Sequence, residues 1–247
     1  MRNASYWVKL FARWAVLTLS ISTLLFVAAG TTGLPSLRNF LVAFSAFLLT
    51  TMLAIDPGLA TERSRTSDKG ATPGRFAASL SFVTTLTVAA LEVGRFHWLH
   101  SVPADARRCS LALFAGAMAL QMWAMVVNPF FSPDIRLQSE RGHRLIACGP
   151  YLLLRHPGYL AMLVAVPASA LAIGSWLALL PAAAFCLVIL KRVGAEEEFL
   201  QKSLVGYSEY MGRVRGRLFP RMDSMRRPCR NSYSSTFSSQ GADRRWP

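Results

Sequence analysis

Apolar residues gather along the chain in six blocks that polar segments separate. The blocks cover residues 7–29, 40–55, 76–91, 109–127, 159–173 and 176–190. A helix rises about 1.5 Å per residue and the hydrocarbon core of a bilayer is about 30 Å thick, so a span needs about 20 apolar residues. The pattern predicts an all-α integral membrane protein with about six transmembrane helices, of which the second, third, fifth and sixth are short.

Only Gly174 and Ser175 separate the fifth block from the sixth. Two helices joined by so short a connection run antiparallel and form a C-terminal hairpin. The start of the fifth helix is therefore expected to lie beside the end of the sixth, on the same side of the membrane.

The basic residues give the bundle an orientation. If both termini are cytoplasmic, few of the 27 Lys and Arg residues face the opposite side, namely Arg38, Arg95, Arg107 and Arg108. The positive-inside rule favours this arrangement. We expect a multi-pass protein, in the inner or plasma membrane if the chain is bacterial, with both termini and a cofactor pocket on the cytoplasmic side.

Composition agrees with a membrane location. The chain of 247 residues is 53% hydrophobic and only 16% charged, against roughly 25% charged in soluble domains. Its net charge of +14 is explained by topology and anionic lipid headgroups rather than nucleic acid, because no basic helix with interleaved aromatic residues lies outside the apolar blocks. The four cysteines form no CxxC pair and no zinc-like cluster, so we expect neither a disulfide nor a metal.

The chain divides into three predicted parts. Residues 1–127 hold helices one to four, and the first helix is interpreted as retained, with signal-peptide cleavage after Ala29 as the alternative. Residues 128–220 carry the polar motifs around the hairpin. Residues 221–247 are rich in Ser and Arg without periodicity, which predicts a disordered basic tail. A polar loop without identifiable chemistry is predicted at residues 60–75.

Polar residues flank the hairpin at its predicted cytoplasmic end. The stretch RHPGY, residues 155–159, opens the fifth helix, and RVGAEEE, residues 192–198, follows the sixth apolar block. Pro157 suits a first helical turn, where its missing N–H is no loss. Topology makes the two stretches converge, so a polar pocket is expected where they meet. Two roles stay open for Arg155, namely an anchor to lipid headgroups and a structural brace.

The spacing within RVGAEEE leaves two interpretations open. Arg192 and Glu196 are four residues apart and share a helix face. They form either an intrahelical ion pair worth about 0.3–0.5 kcal/mol or a pair of groups that holds a ligand. Glu197 and Glu198 point to other faces and are expected to be solvated.

Four motifs in order resemble the isoprenylcysteine carboxyl methyltransferase family. They are GPY at 149–151, RHPGY at 155–159, RVGAEEEFL at 192–200 and YSEYMGRVRGRLFP at 207–220. The resemblance is close over residues 128–220. It is weaker upstream, where VGRFHWLHSVP and VVNPFFSP are similar to bacterial members. Each short motif is unspecific alone, whereas four at matching spacing are specific.

The resemblance implies a membrane methyltransferase that uses S-adenosylmethionine. It assigns acceptor binding and catalysis to Arg192, with Glu196 as a catalytic residue that also contacts cofactor. Gly158 departs from the family pattern and is expected to loosen its turn, while Gln138 has the type but not the spacing of a cofactor-binding glutamine and is left unassigned. The implied cofactor contacts are His143, Leu145, Ile146, Tyr151, His156, Pro157, Gly158, Tyr159 and Glu196.

The implied reaction transfers a methyl group to the carboxylate of a lipophilic or lipidated acceptor, and no obligate protein partner is expected. Three alternatives stay open. The first is a phospholipid-type N-methyltransferase, although an amine acceptor would not favour Arg192 beside it. The second is a sterol-type reductase relative, whose Cys-bearing last motif this chain lacks. The third is a non-catalytic membrane protein with the same fold.

Overall fold

The computed structural model describes residues 4–55, Leu59 and 74–220. Most of the polar loop predicted at 60–75 and all of the tail predicted at 221–247 lie outside these residues. The helices are α1 (Ala4–Ala29), α2 (Pro35–Ala54), α3 (Arg75–Leu91), α4 (Ala104–Val127), α5 (Pro157–Ile173), α6 (Leu179–Ser203) and α7 (Tyr207–Arg213). The described part of the chain contains no strand, so the all-α prediction is confirmed there.

Each predicted apolar block falls largely within a helix, and four of the helices are long and apolar enough to cross a membrane. These four stretches are Ser5–Ala29, Pro35–Ala54, Arg75–Phe96 and Ala104–Val127. The second and third are longer than expected, because α2 begins at Pro35 and α3 continues through the π-helical turn Glu92–Phe96. α5 has 17 residues, or about 25 Å, so a full crossing by the hairpin stays a prediction.

α5 lies at the centre of the bundle and packs most closely against α4. Its buried positions are mostly small residues, including Ala161, Ala165 and Ala168. Small side chains let neighbouring helix backbones approach closely in a membrane. α6 packs against α3 and α5 and continues without a break from the apolar arm of the hairpin into RVGAEEE.

The turn of the hairpin is fixed at the end of the bundle that is far from RHPGY. The buried Glu92 carboxylate accepts hydrogen bonds from the Ser175 hydroxyl and, at 3.3 Å, from the Leu177 N–H. The Val102 N–H donates to Gly174 O at 3.1 Å. Because this end is held, the two arms of the hairpin present RHPGY and RVGAEEE side by side at the other end.

Candidate functional site

RHPGY begins α5, and the C-terminal segment of the described chain holds it in place. Pro157 is the first residue of α5, with His156 as its N-cap. The backbone N–H groups of Arg155 and His156 donate to Gly216 O and Arg217 O at 2.9 and 3.1 Å. The motif at 207–220 therefore supports the start of α5 through its backbone.

A buried ion cluster joins α5, α6 and this C-terminal segment. Arg155 Nε lies 2.6 Å from Glu197 Oε1, and Arg217 Nε lies 2.7 Å from Glu197 Oε2. Arg155 also donates through Nη1 to Val214 O at 2.8 Å. Arg155 is therefore a structural brace in this structure, since its donors are directed to protein groups.

The expectation that Glu197 is solvated is wrong. The residue is 8% exposed, because the α6 face that carries it packs under RHPGY and the C-terminal segment. Burial on its own raises the pKa of the Glu197 carboxyl, but His156 and Arg155 outweigh it and lower the pKa from 4.5 to about 2. Glu198 is exposed and pairs with Lys202 at 2.6 Å, as expected.

Arg192 and Glu196 lie beside each other on α6, but each contacts another group. The Tyr159 hydroxyl donates to Glu196 Oε2 at 2.5 Å, which brings RHPGY and RVGAEEE into direct contact as connectivity predicts. Arg192 Nη2 donates to Pro133 O at 2.6 Å. These contacts join α6 to other segments and are not those of an intrahelical ion pair, and the ligand-holding interpretation stays a prediction.

The loop between α4 and α5 is shaped by Gln138. Its Nε2 donates to Phe130 O at 2.9 Å, and its Oε1 accepts from Arg141 Nη1 at 2.6 Å. Its backbone N–H donates to His143 Nδ1 at 3.2 Å, and the His143 ring stacks on Phe130 with centroids 4.6 Å apart. Gln138 is fully buried, and its amide is used to fold the loop.

The environment of His143 favours a neutral imidazole. Burial lowers the pKa of His143 below 6.5, and the charges of Arg136 and Arg141 lower it further. Because Nδ1 accepts a hydrogen bond from the chain, the proton of the neutral ring is on Nε2. His143 can therefore offer one N–H donor and a flat ring face to a ligand.

Gly158 packs closely against the Phe131 ring, and a looser turn at this position stays a prediction. A Cβ atom at this position would lie 2.5 Å from Cε2 of the Phe131 ring. Gly158 is itself buried in the first turn of α5. The Phe131 ring thus fills the space that a side chain at position 158 would take.

A cavity of about 550 Å³ lies at this end of the bundle, within the range of roughly 300–1,000 Å³ that is usual for small-molecule sites. Its polar part is formed by the loop after α4, the start of α5 and the end of α6. Its apolar part continues between the helices and is lined by Phe44, Phe82, Phe114, Met118 and Phe185. All the site residues predicted from the sequence line it, namely His143, Leu145, Ile146, Tyr151, His156, Pro157, Gly158, Tyr159, Arg192 and Glu196.

Several buried polar atoms in the cavity wall have no hydrogen-bond partner among the described residues. They are Gln121 Oε1, His156 Nε2, Arg192 Nη1 and Tyr207 Oη. His156 Nε2 is 3.7 Å from Glu197 Oε1, which is too long for a hydrogen bond. Buried polar groups are normally paired, so these atoms point to a polar ligand in the cavity.

Sequence reasoning missed two of the polar residues discussed here. Glu197 follows Ile189 and Val193 at intervals of four, and both of these are buried, so the helical period could have placed it on the inner face. Gln121 interrupts the apolar fourth block, and a polar residue inside a span is a signal of function.

Residues 110–202 match the model of the Isoprenylcysteine carboxyl methyltransferase (ICMT) family. The matched segment runs from α4 to α6 and contains GPY, RHPGY and RVGAEEE. No curated protein matches the chain. The resemblance seen in the sequence is confirmed over this segment, and with the apolar helices it supports a membrane methyltransferase of the isoprenylcysteine carboxyl methyltransferase type.

Proposed function

We propose, with the family match as the premise, that the protein transfers a methyl group from S-adenosylmethionine to the carboxylate of a lipophilic acceptor. The observation that carries the proposal is the buried Arg192 Nη1, which has no hydrogen-bond partner among the described residues and lies in the wall of the same cavity as the Tyr159–Glu196 pair. The Arg192 cation can bind an anionic group of one ligand, and the Glu196 carboxylate can bind a cationic group of the other.

The polar part of the cavity fits the cofactor. Glu196 offers a carboxylate to its ammonium group. His156 Nε2 and Tyr207 Oη are buried, have no hydrogen-bond partner among the described residues, and can hydrogen-bond the polar ends of the cofactor. His143 offers an N–H donor, and Leu145 and Ile146 offer apolar contacts to its adenine ring. When bound, the cofactor supplies a methyl group on a positively charged sulfur.

Arg192 is placed to orient the acceptor. A carboxylate is ionised at neutral pH, so the protein needs no general base for this reaction. Arg192 can bind the carboxylate through Nη1 in a charge-assisted hydrogen bond while Pro133 O holds Nη2. The protein then contributes orientation and exclusion of water, and the apolar part of the cavity holds the acceptor tail.

The distribution of basic residues supports a cytoplasmic position for this cavity. We propose that the cofactor enters from the cytoplasm, with both termini on that side, and that the acceptor enters from the membrane lipid.

Binding of S-adenosylmethionine is the first test of this function. We expect calorimetry on the protein in detergent to detect binding, and Glu196→Ala to weaken it by about 10- to 100-fold, because a hydrogen bond to a charged group is lost. Glu198→Ala is the matched control, since that carboxylate is exposed and outside the cavity, and it should bind as the wild type does. The proposal is wrong if the folded wild-type protein does not bind the cofactor.

The stability of the methylated product in base tests whether the acceptor group is a carboxylate or an amine. We expect product made with methyl-labelled cofactor and a lipid extract to release labelled methanol in base, because only an ester hydrolyses in that way. A labelled product that is stable in base would instead support the phospholipid-type N-methyltransferase.

A further inference from the structure

Gln121 is a polar residue in an apolar wall of the cavity. It lies in α4, on the helix face that also carries Phe114 and Met118, and all three residues line the cavity. Gln121 is 7% exposed, and its Oε1 is buried without a hydrogen-bond partner among the described residues. Nothing in the apolar wall around it explains why an amide stands there.

An unpaired amide in this place destabilises the bundle. Buried polar groups are paired in nearly all proteins, and none of the described residues supplies a partner for this oxygen. A Leu or Met side chain at position 121 would fill a similar volume without this cost. A partner that is bound in the cavity explains the amide at this position.

We propose that Gln121 selects the methyl acceptor, and that the acceptor carries a hydroxyl or an amide N–H on its otherwise apolar body. This inference rests on the proposed function, in which Arg192 holds the carboxylate of the same molecule. Gln121 Oε1 accepts a hydrogen bond from the donor of the acceptor. A hydroxyl or a secondary amide both donates and accepts, so it satisfies either orientation of the Gln121 amide.

The position of Gln121 separates this contact from the carboxylate. Gln121 precedes the end of α4 at Val127 by six residues, which is about 9 Å along the helix axis. Its side chain leans further toward the helix N-terminus, whereas Arg192 is tied to Pro133, beyond that helix end. Arg192 and Gln121 thus provide two polar contacts at different depths in one cavity.

Matched acceptors test this selection. One set is hexadecanoic acid and its positional monohydroxy derivatives. The other pair is hexadecanoic acid and an analogue in which two mid-chain methylene groups are replaced by a secondary amide. We expect the wild type to prefer the member with the donor by about tenfold or more in kcat/KM in at least one set. The set that discriminates identifies the donor as a hydroxyl or as an amide N–H within the chain of the acceptor.

The variant Gln121→Met removes the amide and keeps the length of the side chain. It should abolish or invert the preference, while the Kd for S-adenosylmethionine stays within about twofold of the wild-type value and shows that the site is folded. Gln121→Leu provides a second variant if Gln121→Met is unstable. An unchanged preference in a variant that still binds the cofactor would overturn the role of Gln121.

Measuring the Kd of the same acceptors separates the test of selection by Gln121 from the test of methyl transfer. If the wild type binds the donor-bearing members more tightly but methylates none of them, the selection by Gln121 is supported and the proposed methyl transfer fails. If the wild type methylates both members of every set equally well, methyl transfer is supported and the selection fails. Equal Kd values for the two kinds of acceptor in every set, or no binding of any member, also reject the selection by Gln121.

Discussion

Glu197→Gln should lower the stability of the protein by about 3–5 kcal/mol, the usual cost of breaking a buried ion pair. The side chains of Arg155 and Glu197 are only 9% and 11% exposed. The substitution keeps the shape of the side chain but leaves the Arg155 guanidinium buried without a counter-charge. The pair with Arg217, whose side chain is 43% exposed, contributes less because solvent screens it. Thermal unfolding in detergent measures the effect.

The neighbouring glutamate is the matched control for this prediction. Glu198→Gln removes the same charge one residue further along α6, where the carboxylate is exposed, and the melting temperature should not change. The double variant Arg155→Gln/Glu197→Gln should recover part of the lost stability, because it no longer buries an unpaired charge. A Glu197→Gln protein that melts at the wild-type temperature would show that this cluster does not hold the site together.

The same cluster predicts a dependence of stability on pH. The pKa of Glu197 is lowered from 4.5 to about 2, so its contribution to stability is present above a pH of about 4.5 and is lost as the pH falls toward 2. The wild-type melting temperature should therefore fall more steeply than that of Glu197→Gln over this acidic range. Parallel curves for the two proteins would contradict the assignment.

Topology was the most reliable guide to the site. The two-residue separation of the apolar blocks at Gly174 and Ser175 was enough to bring RHPGY and RVGAEEE together, and the contact between Tyr159 and Glu196 follows from it. The blocks also located the helices, because apolar runs of this length have few other solutions in a membrane. Helix ends were less accurate, since α2 and α3 extend past their apolar cores.

Contacts between segments that lie far apart in the chain could not be predicted from the sequence. Helix spacing predicts a solvated Glu197, because spacing alone does not show that residues 214–217 return to cover that face of α6. The path of the loop after α4 depends on the buried amide of Gln138 and on the Phe131 ring against Gly158. Neither contact leaves a periodic pattern that single-sequence reasoning can use.

Arg192→Ala should separate cofactor binding from methyl transfer. We expect kcat/KM for the acceptor to fall by about 10²–10³-fold, because the acceptor carboxylate loses a buried cationic partner and its alignment. The acceptor carboxylate is more negative before the reaction than in the transition state. Arg192 therefore stabilises the bound acceptor at least as well as the transition state, and much of the loss should appear as a higher KM for the acceptor. Initial rates at saturating cofactor measure this division.

The affinity for S-adenosylmethionine is the internal control, because Glu196, Tyr159 and His156 stay in place in Arg192→Ala. The Kd should change by less than about threefold, and a larger loss would place Arg192 in the cofactor site instead. Lys191→Ala removes an adjacent charge that is exposed and outside the cavity wall, so it should leave kcat/KM unchanged. Arg192→Lys should recover only part of the activity, because an ammonium group cannot hold Pro133 O and the acceptor in the fixed geometry of a guanidinium.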